Sequence, residues 1–245
     1  MGNSTIKMEN CAFVRMIQIN RPEVNNKLSI ACMKELKKEL EHASQGDTCR
    51  AVVLYGNSEW FCAGGDLGDY RRKSIQEIKE FGDAFISLHL TMQSCSRPII
   101  AAVEGKAYGG GCSLVEACDL AVASEDAEFA VPEMRNGLAP AMGFSGLFAN
   151  LGKKQAMAMG LLGEKLSAEK AKELGLVNAV VKAEEVLSYA IKMAEQFQNF
   201  DPMAVNLFKE MYADMGQRAY ENRLRIGQAM MVALFKAKGE EYEII

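Results

Sequence analysis

Long apolar runs are missing from this 245-residue chain. None reaches the ~18 residues that a membrane helix needs, and no basic stretch leading into an apolar core opens it, so neither a membrane span nor a secretory leader is expected. The two histidines, His42 and His89, lie far apart without metal-ligand spacing, and no CxxC pair occurs. A metal centre is therefore not expected. Seven cysteines at irregular positions read as reduced thiols, not as a disulfide framework. Charge of one sign is not concentrated anywhere: 28 basic and 32 acidic residues are mixed along the chain and leave a net charge of −4. With no basic stripe to grip phosphates, nucleic acid is excluded as an expected partner. Met1-Gly2 opens the chain like a myristoylation signal, yet Ile6 stands where that motif needs Ser or Thr. Repeats, low-complexity segments and a clear linker are also lacking, and the default location is cytoplasmic.

What is present has the balance of an ordinary globular protein, 49% apolar and 24% charged, at a length that suits one large domain or a core with a small appendage. Phe13 to Ile19 alternates as a strand does, and Asn20-Arg21-Pro22 ends it. Ser29 is placed to cap a helix whose apolar positions are Cys32, Leu36 and Leu40. Ala51 to Tyr55 and Pro98 to Val103 are short continuous apolar runs, as in strands buried on both faces. A long helix is predicted from about Ile75 to Cys95, a short one from Gly110 to about Ala117, and strands at Leu120 to Ala123 and Glu128 to Val131. Beyond Ala141 the pattern is mostly helical: Phe144 to Leu151, Lys154 to Leu162, Ala168 to Leu174, Val186 to Phe197 and Pro202 to about Lys236, with a last short strand at Val177 to Val181. The alternation predicts an α/β fold with a mainly parallel sheet. Its methionine- and aromatic-rich helical tail would bury one face against the core or another subunit.

Two glycine turns stand where such a sheet binds ligands, beyond strand carboxyl ends. One is Phe61-Cys62-Ala63-Gly64-Gly65-Asp66-Leu67, and the other is Ala107-Tyr108-Gly109-Gly110-Gly111-Cys112-Ser113-Leu114, read as following the Pro98–Val103 strand directly. Either is compatible with a tight turn and nothing more. Together they offer the unhindered amides of Gly65 and Gly110, which can converge on one oxygen that becomes negative during reaction, such as that of a thioester carbonyl. Glu133, after Val131-Pro132 and before Met134 and Leu138, is either a surface glutamate following a strand-ending proline or a base whose pKa apolar surroundings raise.

These segments, with Asn20-Arg21-Pro22 and the stretch Leu166 to Val177, resemble those of the crotonase (enoyl-CoA hydratase/isomerase) superfamily, over about residues 11 to 197. The resemblance implies a crotonase-like spiral of ββα units with a C-terminal helical region. It divides the chain into a thioester-binding core over 1–190 and helices over 191–245, usually assembled as a homotrimer or a hexamer. It implies an acyl thioester of coenzyme A or of an acyl-carrier protein as substrate, with coenzyme A entering as part of the substrate and no separate cofactor. Gly65 and Gly110 would carry the oxyanion amides, Glu133 the proton, and Val24, Asn25, Ala63, Gly64, Asp66, Leu67 and Ser113 would line the substrate path.

One departure shapes the expected activity. Hydratases of the superfamily carry a glutamate where this chain has Ser113, and serine is a poor base at neutral pH. A member with Glu133 alone resembles an enoyl-CoA delta isomerase. The alternatives are a carrier-protein-linked 3-hydroxy-3-methylglutaryl dehydratase of polyketide β-branching, towards which Asn25-Asn26 points, and a non-catalytic acyl-CoA-binding member. Secondary candidates carry plainer expectations: Glu116 and Arg135 in salt bridges, Arg71, Arg72 and Lys73 as a solvated helix start, Tyr70 as pocket cap or packing residue, and Cys62 and Cys112 as small apolar fillers.

Overall fold

The computed structural model of the chain describes residues 4–46, 48–143 and 151–240. Strands β1 (Ile6–Cys11) and β2 (Val14–Ile19) form an antiparallel hairpin. Helix α1 (Ile30–Gln45) follows, its first turn closed by Ser29 Oγ, which accepts from Cys32 N at 3.2 Å. Its buried residues Cys32, Met33, Leu36, Leu40 and Ala43 keep the three-to-four spacing of a one-sided helix. Then come β3 (Ala51–Tyr55), β4 (Trp60–Cys62) and α2 (Ile75–Ser94), which opens on a capping box between Ser74 and Glu77. The strand pair and helix repeat as β5 (Ile99–Val103), β6 (Lys106–Tyr108) and α3 (Gly110–Ala117), and a third pair is β7 (Leu120–Ser124) and β8 (Glu128–Ala130). The remainder comprises α4 (Lys153–Met157), which widens into a π-helical turn over Ala158–Leu162, β9 (Lys165–Ser167), α5 (Ala168–Glu173), β10 (Ala179–Val181), α6 (Val186–Glu195) and α7 (Pro202–Glu240).

Among the described residues the strands make two sheets. The larger has the order β1-β2-β3-β5-β7-β10, parallel except for β1 at its edge. The smaller has the order β4-β6-β8-β9, its first three strands parallel and β9 antiparallel. In each of the three pairs the first strand belongs to the large sheet and the second to the small one. One face of the large sheet packs Ile17, Val52, Leu54, Ile99 and Ala101 with α1 and α2. The other packs Met16, Val53, Ile100 and Val122 under Val186, Ala190 and Ala194 of α6. Burial on both faces is why these strands read as unbroken apolar runs.

The second strands of the pairs correct the sequence reading. The turn at Gly109 does not follow Val103 directly, because β6 intervenes, and the turn at Gly64 issues from β4. The predicted single sheet is thus two, and both glycine turns, like Glu133, hang from the small one. Of the predicted helices, the one over 144–151 falls outside the described residues except for its last position. The stretch Lys154 to Leu162 is α-helical for half its length only, and of the predicted last strand, Val177 to Val181, only Ala179–Val181 is extended strand. Helix α7 leaves Met203, Leu207, Phe208, Met211 and Tyr212 exposed in its first turns, while Leu224 and Met231 are buried. It also stacks Phe235 on Tyr70, with ring centroids 4.2 Å apart.

Candidate active site

Three parallel neighbours of the small sheet deliver three groups to one place: β4 leads to Gly65, β6 to Gly110 and β8 to Glu133. Gly64 takes the left-handed φ of 99° that turns the chain after β4. Its carbonyl accepts from Leu28 N at 2.8 Å, and Asp66 N donates to Leu28 O at 2.9 Å. This parallel bridge uses the groups flanking Gly65, so the N–H of Gly65 itself faces away from Leu28. Gly110 is the first residue of α3, where an amide has no acceptor within its own helix and carries the positive end of the helix dipole. The turns are in contact: a β-carbon placed on Gly110 would lie 3.6 Å from Gly65 N, and one on Gly64 3.3 Å from Gly110 N. Two amide donors are thereby brought side by side.

Glu133 opens a short 3-10 turn after Pro132, at the end of the strip that begins with β8. Gly109 takes a left-handed φ of 53°, and a β-carbon there would sit 2.6 Å from Glu133 Oε1. The carboxylate thus occupies the space that glycine leaves open beside Gly110. Burial pushes the pKa of Glu133 above the usual carboxylate value, and Oε2 is buried with no hydrogen-bond partner among the described residues. Cys62 and Cys112 are fully buried, and desolvation pushes the thiol of Cys62 up to about 12 and that of Cys112 higher still. Neither supplies a thiolate.

The segment expected to line the substrate path is bolted to the first turn. Ala63 N donates to Asn25 O at 3.1 Å. Buried Asn26 accepts from Arg21 N at 2.9 Å and donates to Trp60 O at 2.8 Å. Arg21 reaches Asp66 Oδ2 at 2.8 Å. Val24, Asn25, Ala63, Gly64, Asp66 and Leu67 therefore do come together, with the Asp66 carboxylate engaged by Arg21. Ser113 is also close, one helical turn beyond Gly109, but its surroundings were not foreseen. Its Oγ lies 3.0 Å from Nε2 of His89, whose Nδ1 lies 3.0 Å from Phe85 O, and all of Ser113 and His89 is buried.

Helix α2 supplies that wall at four-residue intervals. Phe81 faces Gly65, with its Cζ 2.8 Å from where a β-carbon would be, Phe85 faces Gly110 at 3.3 Å, and His89 faces Ser113. The Phe85 and His89 rings stack at 3.9 Å. Periodicity marks all three as one face of α2, yet nothing in the sequence pairs that face with the glycine turns. Gly143 was missed too: a β-carbon on it would lie 3.1 Å from Gly110 N.

The secondary candidates are placed as follows. Arg71 and Arg72 pair with Asp69, and Lys73 with Glu77, at an exposed helix start. Tyr70 packs on α7. Arg135 lies against Gly163 and reaches Leu162 O at 3.5 Å; among the described residues it makes no ion pair, so the expected salt bridge is replaced by a backbone contact. Glu116 is half-buried near the end of α3. Among the described residues no cluster of metal-ligating side chains occurs, and no helix is long and apolar enough to cross a membrane.

The architecture is thus an α/β core that brings two glycine turns and one buried carboxylate into contact at the ends of neighbouring parallel strands. The sequence model of the enoyl-CoA hydratase/isomerase family matches residues 9–242, and the chain belongs to that family, within the crotonase superfamily. It is 34% identical over 223 residues to the 2,3-dehydroadipyl-CoA hydratase of Escherichia coli, covering 91% of this chain and 85% of that protein. It is equally identical over 223 residues to the mitochondrial enoyl-CoA hydratase of Pongo abelii, covering 91% and 75%. The crystal structure of an enoyl-CoA hydratase/isomerase from Mycobacterium paratuberculosis superposes with a TM-score of 0.88 at 27% identity, over 96% of this chain and 95% of that one. The fold is thus the crotonase fold.

Proposed function

We propose that this chain binds an acyl thioester of coenzyme A, holds the thioester oxygen between the amides of Gly65 and Gly110, and uses Glu133 to move a proton at the adjacent carbon. The observation that carries this reading is the buried Glu133 carboxylate seated on Gly109, next to the paired amides. A carboxylate whose charged form is penalised by burial is a stronger base than a solvated one. Removal of the proton at C2 places negative charge on the thioester oxygen, where each amide donor contributes ~3–4 kcal/mol to the transition state.

One carboxylate suffices to take a proton from C2 and return it at C4, so isomerisation of a 3-enoyl to a 2-enoyl thioester is the favoured reaction. The contacts between residues 24–28 and 63–66 support their assignment to the thioester path. Asp66 contributes there through its backbone, since its side chain is held by Arg21. Turnover of 3-enoyl-CoA by the wild type and its loss in Glu133→Gln test the reading; full turnover in that variant would sink it.

Hydration of a 2-enoyl thioester is the second reading, favoured by relatives that are named hydratases. The carrier-protein dehydratase and the non-catalytic member gain no comparable support. A homotrimer or hexamer remains part of the proposal, because exposed Met203, Leu207, Phe208 and Met211 offer α7 an apolar face for a second copy. Sedimentation velocity would read the assembly directly, and a monomer at working concentration would remove it.

A further inference from the structure

Glycine turns hold one shape poorly on their own, because a residue without a side chain leaves any one φ, ψ freely. In this chain both turns are braced from α2. The ring of Phe81 fills the space that a side chain at 65 would take, with Cζ 2.8 Å from that β-carbon position, and the ring of Phe85 fills the space at 110, with Cε2 at 3.3 Å. The two amides proposed for the thioester oxygen thus belong to glycines propped by phenyl rings one helical turn apart. The next residue of the same α2 face, His89, holds those rings in register.

His89 stacks on Phe85, with centroids 3.9 Å apart and 26° between the planes. Its Nδ1 lies 3.0 Å from Phe85 O, a carbonyl that only accepts, so Nδ1 carries the imidazole proton. Burial keeps the ring neutral, and Nε2 presents a lone pair. Ser113 Oγ, 3.0 Å away, donates to it. Ser113 lies on α3 with Gly110, and its own N–H donates to Gly109 O at 3.2 Å. The contacts therefore close a circuit. It runs from Gly110 along α3 to Ser113, by hydrogen bond to His89, by stacking to Phe85, and from that ring back to Gly110. All four residues are buried, where an unmade hydrogen bond costs most.

We propose that His89 and Ser113 are positioning residues that hold Phe85, and through it the amide of Gly110, in the geometry that receives the thioester oxygen. This rests on the assignment of that oxygen to Gly65 and Gly110 and gives Ser113 a part in it: the serine fixes an amide donor and takes no proton from the substrate. A donor acts on developing charge only if it is already in place, so a small displacement of Gly110 is felt in the rate more than in binding.

The test reads the carbonyl and the turnover separately, on the full chain. A saturated acyl-CoA with an isotope-labelled thioester carbonyl binds without reacting, and its infrared carbonyl stretch falls in frequency as the oxygen accepts stronger hydrogen bonds. Bound to the wild type it is expected below its frequency in water. In Ser113→Ala that shift shrinks, and kcat for a 3-enoyl-CoA falls ~10–100-fold while KM stays within about threefold. His89→Asn, whose amide still donates to Phe85 O but falls short of Ser113, behaves in the same way and replaces Ser113→Ala should that variant not fold. His89→Gln, whose longer amide accepts from Ser113, restores the shift and brings kcat to within about threefold of wild type. Because the circuit acts as a unit, the losses of Phe85→Leu and Ser113→Ala combine to less than their product. An unchanged shift and kcat in Ser113→Ala and His89→Asn, a lowered melting temperature alone, or losses that multiply would overturn the positioning role. A wild type that leaves the carbonyl stretch where water has it would instead bring down the oxyanion assignment beneath it.

Discussion

Gly109 and Glu133 are fitted to each other: the carboxylate oxygen Oε1 occupies the space in which any side chain at 109 would begin. Gly109→Ala therefore acts on chemistry and backbone together. Alanine at a φ of 53° and ψ of −118°, outside the left-handed helical region, costs ~1–3 kcal/mol, and displacing the carboxylate by ~1 Å is expected to lower turnover ~100-fold. Isothermal titration with a non-reactive acyl-CoA should show binding largely preserved, since the thioester-path residues 24–28 and 63–66 are untouched.

The raised pKa of Glu133 sets a pH dependence. A base must be ionised to act, so kcat/KM for 3-enoyl-CoA is expected to climb with pH through an apparent pKa above the ordinary carboxylate value of 4.5 and then level off. Glu133→Gln should lose ~10²–10⁴-fold in rate and the pH dependence with it. The same variant relieves a desolvated charge, so its melting temperature at neutral pH should be no lower than that of the wild type.

His89 predicts the acid stability of the fold. Burial lowers its pKa from 6.5 to about 4, so the unfolded chain binds the extra proton first. Its contribution is complete above pH 6.5, falls as the pH drops through the window from 6.5 to 4, and amounts to about 3 kcal/mol across it. Urea denaturation at several pH values should show this slope in the wild type and its absence in His89→Gln.

Asn26 is expected to be the costliest polar residue of the first turn. Replacement by alanine leaves Arg21 N and Trp60 O without their partner, at about 2–3 kcal/mol by the usual penalty for buried unsatisfied groups. Asp66→Asn weakens a half-exposed ion pair and should cost only about 1 kcal/mol. Chemical denaturation of both variants would rank them.

The large sheet and its helices were legible because their signals are long. Leu36 and Leu40 on α1, and the apolar runs of β3 and β5, are dictated by burial that spans whole elements. Strands β4, β6 and β9 are three residues each, too short for a period of two to declare itself, and β1 exposes every residue but Ile6. Two of them, β4 and β6, carry the glycine turns of the site. Glycine spacing therefore pointed to Gly65 and Gly110, and the apolar surroundings to Glu133, while the sheet that aligns them stayed hidden. His89 was invisible for a related reason: on α2 it continues the face of Phe81 and Phe85 and reads as core, and its partner lies 24 residues away.

The small sheet also acts as a ruler. Adjacent strands lie ~4.8 Å apart, so the ends of β4 and β6 are one division apart and the end of β8 stands one further along. On the reading proposed above, a thioester oxygen held at the first two marks sets C2 and its neighbours along the strand ends towards the third, so the order of the strands is also the order in which the substrate's atoms are met.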